Sequence, residues 1–289
     1  MIIATLDRVD SLRCVLACLS RQTRPPDEVI LCAAGELPAT LLTEFHGFAR
    51  IRLLPSAVKS SARQRNQAAD VATGEVLAFL DDDIEFEPDL LERALTVLAH
   101  APEIGGLHPR IRNMEGNSPG LLTRAYYTLQ SGYAHPNHGG KLFGPGLNCA
   151  PVFNDATGDR VAAEWLPSTC LFLRADLFRQ HRFPEFDGYS FAEDVHLTAR
   201  IAHEAPLWFL REPSILHHSL TSEFKTDRTA LTAGKLHNMA VVAREVQHLR
   251  GVSLWWRWQL HRLFISAVLL LRRPDSWRQD FLGVWRSHP

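Results

Sequence analysis

The chain has 289 residues, 46% of them apolar and 22% charged, a balance that excludes a disordered or low-complexity chain and suits one large domain or two small ones. Lys and Arg number 31 against 32 Asp and Glu, for a net charge of -1. That excludes the global basic excess of a nucleic-acid coat, and no nucleic-acid partner is expected.

In chain order, Met1 to Ala4 reads as a short strand. No basic stretch followed by an apolar run precedes it, so no signal peptide is expected. A helix over 11–21 carries Leu12, Val15, Leu16 and Leu19 on one face and stops at Pro25-Pro26. Val29-Ile30-Leu31 is a buried strand, 37–48 a helix and Ile51 to Leu54 a third strand. An Arg-bearing helix over 59–72 ends before Gly74. The fourth strand, Val76 to Leu80, runs into Asp81-Asp82-Asp83, and Pro88 opens another amphipathic helix before a fifth strand over 104–111. Alternating strands and helices imply parallel strands joined by crossovers, with ligands bound beyond their carboxyl ends.

Residues 112–164 lose this rhythm, and Gly, Pro, Asn and His over 131–159 predict loops, irregular hairpins or a lid. Regularity returns with a strand over 170–173, a short helix over 175–180, a helix over 192–204, short strands at 207–210 and 215–216, and a helix over 226–250. The five cysteines, Cys14, Cys18, Cys32, Cys149 and Cys170, form no Cys-x-x-Cys pair, so free thiols in a reducing, cytoplasmic compartment are expected. Residues 252–273 carry Trp255, Trp256 and Trp258 at one end and Arg272-Arg273 at the other. Two readings stay open for that segment: a helix packed on the core, or an interfacial helix in peripheral contact with the inner face of the membrane.

Three adjacent carboxylates repel one another, and a divalent cation relieves them well. Hard oxygen ligands suit Mn2+ or Mg2+, and such a cation neutralises a diphosphate. The plainer reading is a solvated acidic turn, but the triplet ends an apolar strand at the ligand-binding end of an α/β sheet. Glu193-Asp194 opens a helix, where acids are also favoured by the dipole. His217-His218 follows a strand, and adjacent residues there point to opposite sides, so one of the two at most faces a given site.

Several stretches in order resemble the inverting glycosyltransferases of family 2. They are Ile3-Ala4-Thr5-Leu6-Asp7-Arg8, Pro26-Asp27-Glu28-Val29-Ile30, Ala62-Arg63-Gln64-Arg65-Asn66, Gly74 through Asp83, Glu193 through Leu197 with Arg200, and the histidines at 217 and 218. The resemblance implies an α/β GT-A fold, Rossmann-like, with a mixed central sheet and a helical C-terminal extension. It divides the chain into a glycosyltransferase domain over 1–220 (a nucleotide-binding half 1–110 and an acceptor half 111–220) and a helical extension over 221–289.

The resemblance also implies roles. Thr5, Asp7, Arg8, Asp81, Asp82 and either Arg63 or Arg65 line the nucleotide and donor. Asp83, with His217 or His218, holds Mn2+ or Mg2+. Asp194 is the general base, Glu193 positions the acceptor, and Trp165, Ser168 and Thr169 border the donor and acceptor pocket. The donor is a nucleotide-diphosphate sugar, and the acceptor is a sugar or lipid-linked sugar in surface polysaccharide or glycolipid assembly. Two departures stand out. Strand two ends Cys32-Ala33-Ala34-Gly35-Glu36 without the family's usual acid, and Ser168-Thr169 stands where a Gly-Gly pair is common. The rival readings are a sugar nucleotidyltransferase, for which the turn after strand one lacks a glycine-rich phosphate cradle, and a non-catalytic nucleotide-sugar binder or scaffold.

Overall fold

A computed structural model describes residues 1–114, 119–135, 138–154, 157–187, 190–219 and 226–289. The N-terminal half follows the expected alternation: β1 (Ile2–Thr5), α1 (Val9–Ser20), β2 (Glu28–Ala33), α2 (Ala39–Glu44), β3 (Arg50–Pro55), α3 (Ser61–Asp70), β4 (Val76–Leu80), β5 (Ile84–Phe86), α4 (Leu90–His100) and β6 (Gly106–Ile111). Then come α5 (Leu121–Ser131), β7 (Leu142–Phe143), β8 (Leu147–Asn148), β9 (Arg160–Ala163), β10 (Cys170–Arg174), α6 (Ala175–His181), α7 (Glu193–Ala202) and β11 (Leu207–His217). Three helices close the chain: α8 (Arg228–Glu245), α9 (Gly251–Arg272) and α10 (Trp277–Arg286).

Among the described residues, nine strands form one mixed sheet in the order β3-β2-β1-β4-β10-β6-β11-β5, with β9 also paired to β11. Strands β3, β2, β1 and β4 run parallel. Strand β10 inserts antiparallel between β4 and β6. Period-two alternation sends Ile2, Ile30, Phe79 and Leu171 to one face and Ile3, Leu31, Leu80 and Phe172 to the other. Helices α3, α6 and α7 cover the first face with Ala62, Ala68, Phe178, Val195, Leu197 and Ile201. Helices α1 and α4 cover the second with Leu12, Leu16, Leu90 and Leu98. Each large apolar side chain so buried contributes about 1.5–3 kcal/mol, and the two layers hold the carboxyl ends of β1 and β4 side by side.

The closing helices gather Leu236, Met239, Ala240, Trp258 and Val284 into a third cluster. Gly283 is required there, because a Cβ would lie 2.7 Å from the Thr229 carbonyl oxygen on α8. This layer is tied to the sheet domain. His196 Nε2 meets Glu245 Oε2 at 2.9 Å, and Asn238 Nδ2 donates to the Phe191 carbonyl at 3.0 Å.

Several elements differ from expectation. The helix expected over 37–48 is confined to Ala39–Glu44. Helix α5 forms inside the stretch expected to be irregular. It buries only Tyr126 and Gln130 and leaves Leu121, Leu122 and Leu129 exposed, so it lacks the usual polar-outside pattern. The two short strands near 207 and 215 are one strand whose register on β6 shifts between Leu210 and Ser214. The short strand β5 is not among the expected elements, whereas helix α10 lies within the helical extension expected over 221–289. The domain boundary expected at 220/221 falls within 220–225, outside the described residues, as do 136–137 and 155–156 of the expected lid.

Candidate functional site

The triplet Asp81-Asp82-Asp83 sits where β4 ends and β5 begins, and its members face different ways. Asp82 is buried and turns toward the end of β1. It accepts a 2.6 Å hydrogen bond from Thr5 Oγ1 and a 3.0 Å bond from Arg8 Nη1, and its carbonyl accepts from Ser11 Oγ. Burial raises its carboxyl above the ordinary range, with Thr5 and Arg8 opposing. Thus buried Thr5 and Asp82 and half-buried Arg8 form one knot, which Arg8 extends to Asp83 Oδ2 at 3.3 Å.

Asp81 and Asp83 project the other way, toward β11. The pairing of His217 with Ile84 across β11 and β5 brings the imidazole in. His217 Nε2 lies 3.1 Å from Asp83 Oδ1 and 3.8 Å from Asp81 Oδ2. One ligand atom from each of Asp81, Asp83 and His217 lies within 4.8 Å of the others. Two hard carboxylates suit Mn2+ or Mg2+ in donor type, and the imidazole adds a softer nitrogen donor. His218 turns to the opposite side and meets exposed Glu85 at 2.9 Å, outside this group. Asp81, expected on the nucleotide, belongs with the metal-competent trio.

Arg65 spans the site. Its Nη2 lies 2.6 Å from Asp81 Oδ1 and its Nη1 3.4 Å from Glu193 Oε1. Helix α3 aims it inward. Ser60 caps the helix by accepting from the Arg63 backbone N–H, and Gln64 anchors the same turn by donating to the carbonyls of Thr5 and Cys32. Arg63, one position off this inward face, is exposed. It pairs with Glu185 at 3.0 Å and borders a separate open cavity of about 470 Å³ with Gln67 and Asp70.

Across from the aspartates, Ala192 in a left-handed conformation (φ 64°) turns the chain into α7, so that Glu193 and Asp194 face the sheet end. Glu193 is buried. Burial and the adjacent Asp194 charge raise its carboxyl well above the ordinary range, against the pull of Arg65. Asp194 is half-buried, and burial raises it too. Its two carboxylate oxygens accept backbone N–H groups, Oδ1 from Val195 at 2.8 Å and Oδ2 from Ser168 at 3.2 Å.

The segment before β10 joins the two sides. Thr169 accepts the Asp81 N–H through its carbonyl at 3.0 Å, while Ser168 holds Asp194. Both act through backbone atoms, which residue type alone does not announce. Trp165 is buried, donates to the Cys149 carbonyl at 3.3 Å and packs edge-on against Phe209, so it braces this segment from behind. Asp7 is exposed, with φ 51°, and its carboxylate occupies the space above Gly35, where a Cβ would come 2.1 Å from Oδ1. The missing side chain after strand two therefore leaves room that Asp7 fills.

The family model described as Glycosyl transferase family 2 matches residues 1–150. A Mycobacterium tuberculosis protein named N-acetylglucosaminyl-diphospho-decaprenol L-rhamnosyltransferase is 26% identical over 278 residues, covering 89% of this chain and 85% of the relative. S. aureus TarS 1-349 in complex with UDP-GlcNAc superposes with a TM-score of 0.57 at 15% identity, over 98% of this chain and 78% of that one. The chain spans 43% of a longer TarS structure. The mannosyltransferase PcManGT from Pyrobaculum calidifontis, in complex with GDP-Man and Mn2+, superposes with a TM-score of 0.55 at 14% identity, over 98% of this chain and 83% of that one. The last two likenesses establish the fold.

Proposed function

The chain belongs to glycosyl transferase family 2 and is a glycosyltransferase of the GT-A fold; from that premise we propose that it transfers a sugar from a nucleotide diphosphate to an acceptor hydroxyl with inversion, in a metal-dependent reaction. The observation that carries this reading is the single network joining donor-side and acceptor-side acids. Arg65 contacts both Asp81 and Glu193, and the 168–169 backbone holds both Asp81 and Asp194.

Asp81, Asp83 and His217 are the residues that would hold Mn2+ or Mg2+, which when bound supplies positive charge to the departing diphosphate. Thr5, Arg8 and Asp82 form the floor beneath the nucleotide, and Asp7 at its rim reads base or ribose. Arg65 adds a fixed positive charge beside the leaving group, already oriented before substrate arrives. Asp194 is the general base. It is the more accessible of the two acids of α7, and two backbone N–H groups fix its orientation. As the acceptor oxygen bonds to the anomeric carbon and the glycosyl–phosphate bond breaks, the acceptor proton passes to Asp194. Attack opposite the leaving group inverts the centre, so no covalent nucleophile is needed. Glu193, pinned by Arg65, positions the acceptor.

In this reading residues 1–110 bind the donor, 111–220 frame the acceptor, and 221–289 form a helical extension. The mycobacterial relative supports a lipid-linked sugar diphosphate as acceptor, by its name, and such an acceptor suits surface polysaccharide or glycolipid assembly as the setting. The test is a thermal-shift screen of nucleoside diphosphates and nucleotide sugars with and without Mn2+. A ligand that binds the native state raises the melting point. The proposal expects a Mn2+-dependent rise with one base in preference to others, followed by an inverted product in anomeric NMR. A retained anomeric configuration would contradict it.

A further inference from the structure

Helices α5 and α9 lie side by side. Tyr126 stacks on Phe264 with ring centroids 3.8 Å apart and planes 2° from parallel. The Tyr126 hydroxyl meets His261 Nδ1 at 2.6 Å, and Gln130 donates to the Arg257 carbonyl at 3.0 Å. Residue 126 thus sits opposite 261–264 and residue 130 opposite 257, so the helices are antiparallel. The start of α5 therefore lies toward the end of α9.

The outer side of this pair is apolar and has no protein cover among the described residues. On α9, Trp256, Leu263 and Leu270 recur every seven positions on one exposed stripe, opposite the buried Trp258 and Arg262. At the shared end Leu121, Leu122 and Leu271 are 82%, 84% and 83% exposed. The two helices themselves carry no acids: α5 has none, and none occurs between Glu245 and Asp275. On these helices stand Arg124, Arg257 and Arg272, with Arg250 and Arg273 flanking the ends of α9, in a chain whose net charge is only -1. The Arg257 guanidinium lies 4.8 Å from the Trp256 ring centroid.

We infer that α5 and α9 form a docking surface for an anionic phospholipid bilayer. Exposed Leu and Trp enter the headgroup boundary while the arginines meet lipid phosphates. Among the described residues no helix is long and apolar enough to cross a membrane, so α9 would lie along the surface for about 33 Å. Charge argues against a second copy as occupant, because two such faces would bring the arginines of these acid-free helices together. The inference stands on this surface and not on the transferase reading.

The test is flotation of the full chain, without sugar nucleotide, with phosphatidylcholine vesicles that contain or lack phosphatidylglycerol. Binding to the anionic vesicles is expected, about tenfold weaker on neutral ones and weaker at high salt, with a blue shift of Trp emission. The triple variant L121N/L122N/L271N changes only exposed side chains and should keep its melting point while losing about tenfold or more in partition. R272Q/R273Q should lose binding to the anionic vesicles only. A folded chain that ignores anionic vesicles overturns the inference. So does a triple variant that binds as well as the parent. Self-association that the triple variant abolishes, with no vesicle binding, assigns the face to a second copy instead. Nucleotide-dependent thermal shifts in the same samples keep this result separate from the transferase reading, since either can fail alone.

Discussion

Removing Arg65 tests how the site is held together. Arg65 and Glu193 are 4% and 6% exposed, so their pair is out of water, while Asp81 is partly solvated. In Arg65→Met the Glu193 carboxyl stays buried without its cation, so it either carries an unpaired charge or must take up a proton. Breaking a buried pair from one side costs about 3–5 kcal/mol. The Asp81 pair adds little, because solvent screens it. In R65M/E193Q the stranded charge is gone, and about 1–3 kcal/mol should return. The pH dependence has a definite sign. Without Arg65, the folded-state pKa of Glu193 stays above its unfolded value, so the folded state binds the extra proton. R65M should therefore be most stable at low pH and lose stability as pH rises through the folded-state pKa of Glu193. Urea unfolding followed by circular dichroism at pH 5 and pH 8 reads all of this. Single and double variants of equal stability at pH 8 would refute the assignment of Arg65 as the counter-charge of Glu193.

Other outcomes follow from the same structure. H217Q should abolish the Mn2+-dependent thermal shift, and H218Q, whose imidazole faces Glu85, should keep it. Phe172→Ala, at a fully buried position between the layers, should cost about 3–5 kcal/mol in urea unfolding. His261 is buried beside Tyr126, and burial lowers it from 6.5 to about 4. Between those values the unfolded chain takes up a proton that the folded chain refuses, so stability falls as pH drops from about 6.5 to about 4. H261F should flatten that slope by up to ~1.4 kcal/mol per pH unit, read by unfolding at pH 7 and pH 5.

The N-terminal layers were legible because each of their strands and helices buries one face. Ile2 and Ile3, or Phe79 and Leu80, announce a two-sided sheet by alternation, and Leu12, Val15, Leu16 and Leu19 announce the helix above it. Asp81 to Asp83 could be placed at a strand end because β4 is plainly apolar. What sequence left open was direction. Whether Arg63 or Arg65, and His217 or His218, turns inward depends on helix phase and strand register, and β11 carries a register shift just before its histidine. The 165–169 segment was harder still, since Ser168 and Thr169 act through main-chain atoms. Helix α5 escaped because its leucines point outward, the reverse of the pattern used to find helices.

The most direct test of the account is turnover against donor binding in Asp194→Asn. The substitution keeps size and one acceptor oxygen but leaves an amide facing a backbone N–H at Ser168 or Val195, so melting should shift only modestly. If Asp194 takes the acceptor proton, kcat falls about 10²–10⁴-fold while the Kd for the nucleotide sugar in Mn2+ stays within about twofold. Turnover close to that of the parent, with the donor bound equally well, would remove Asp194 as the base and contradict the mechanism.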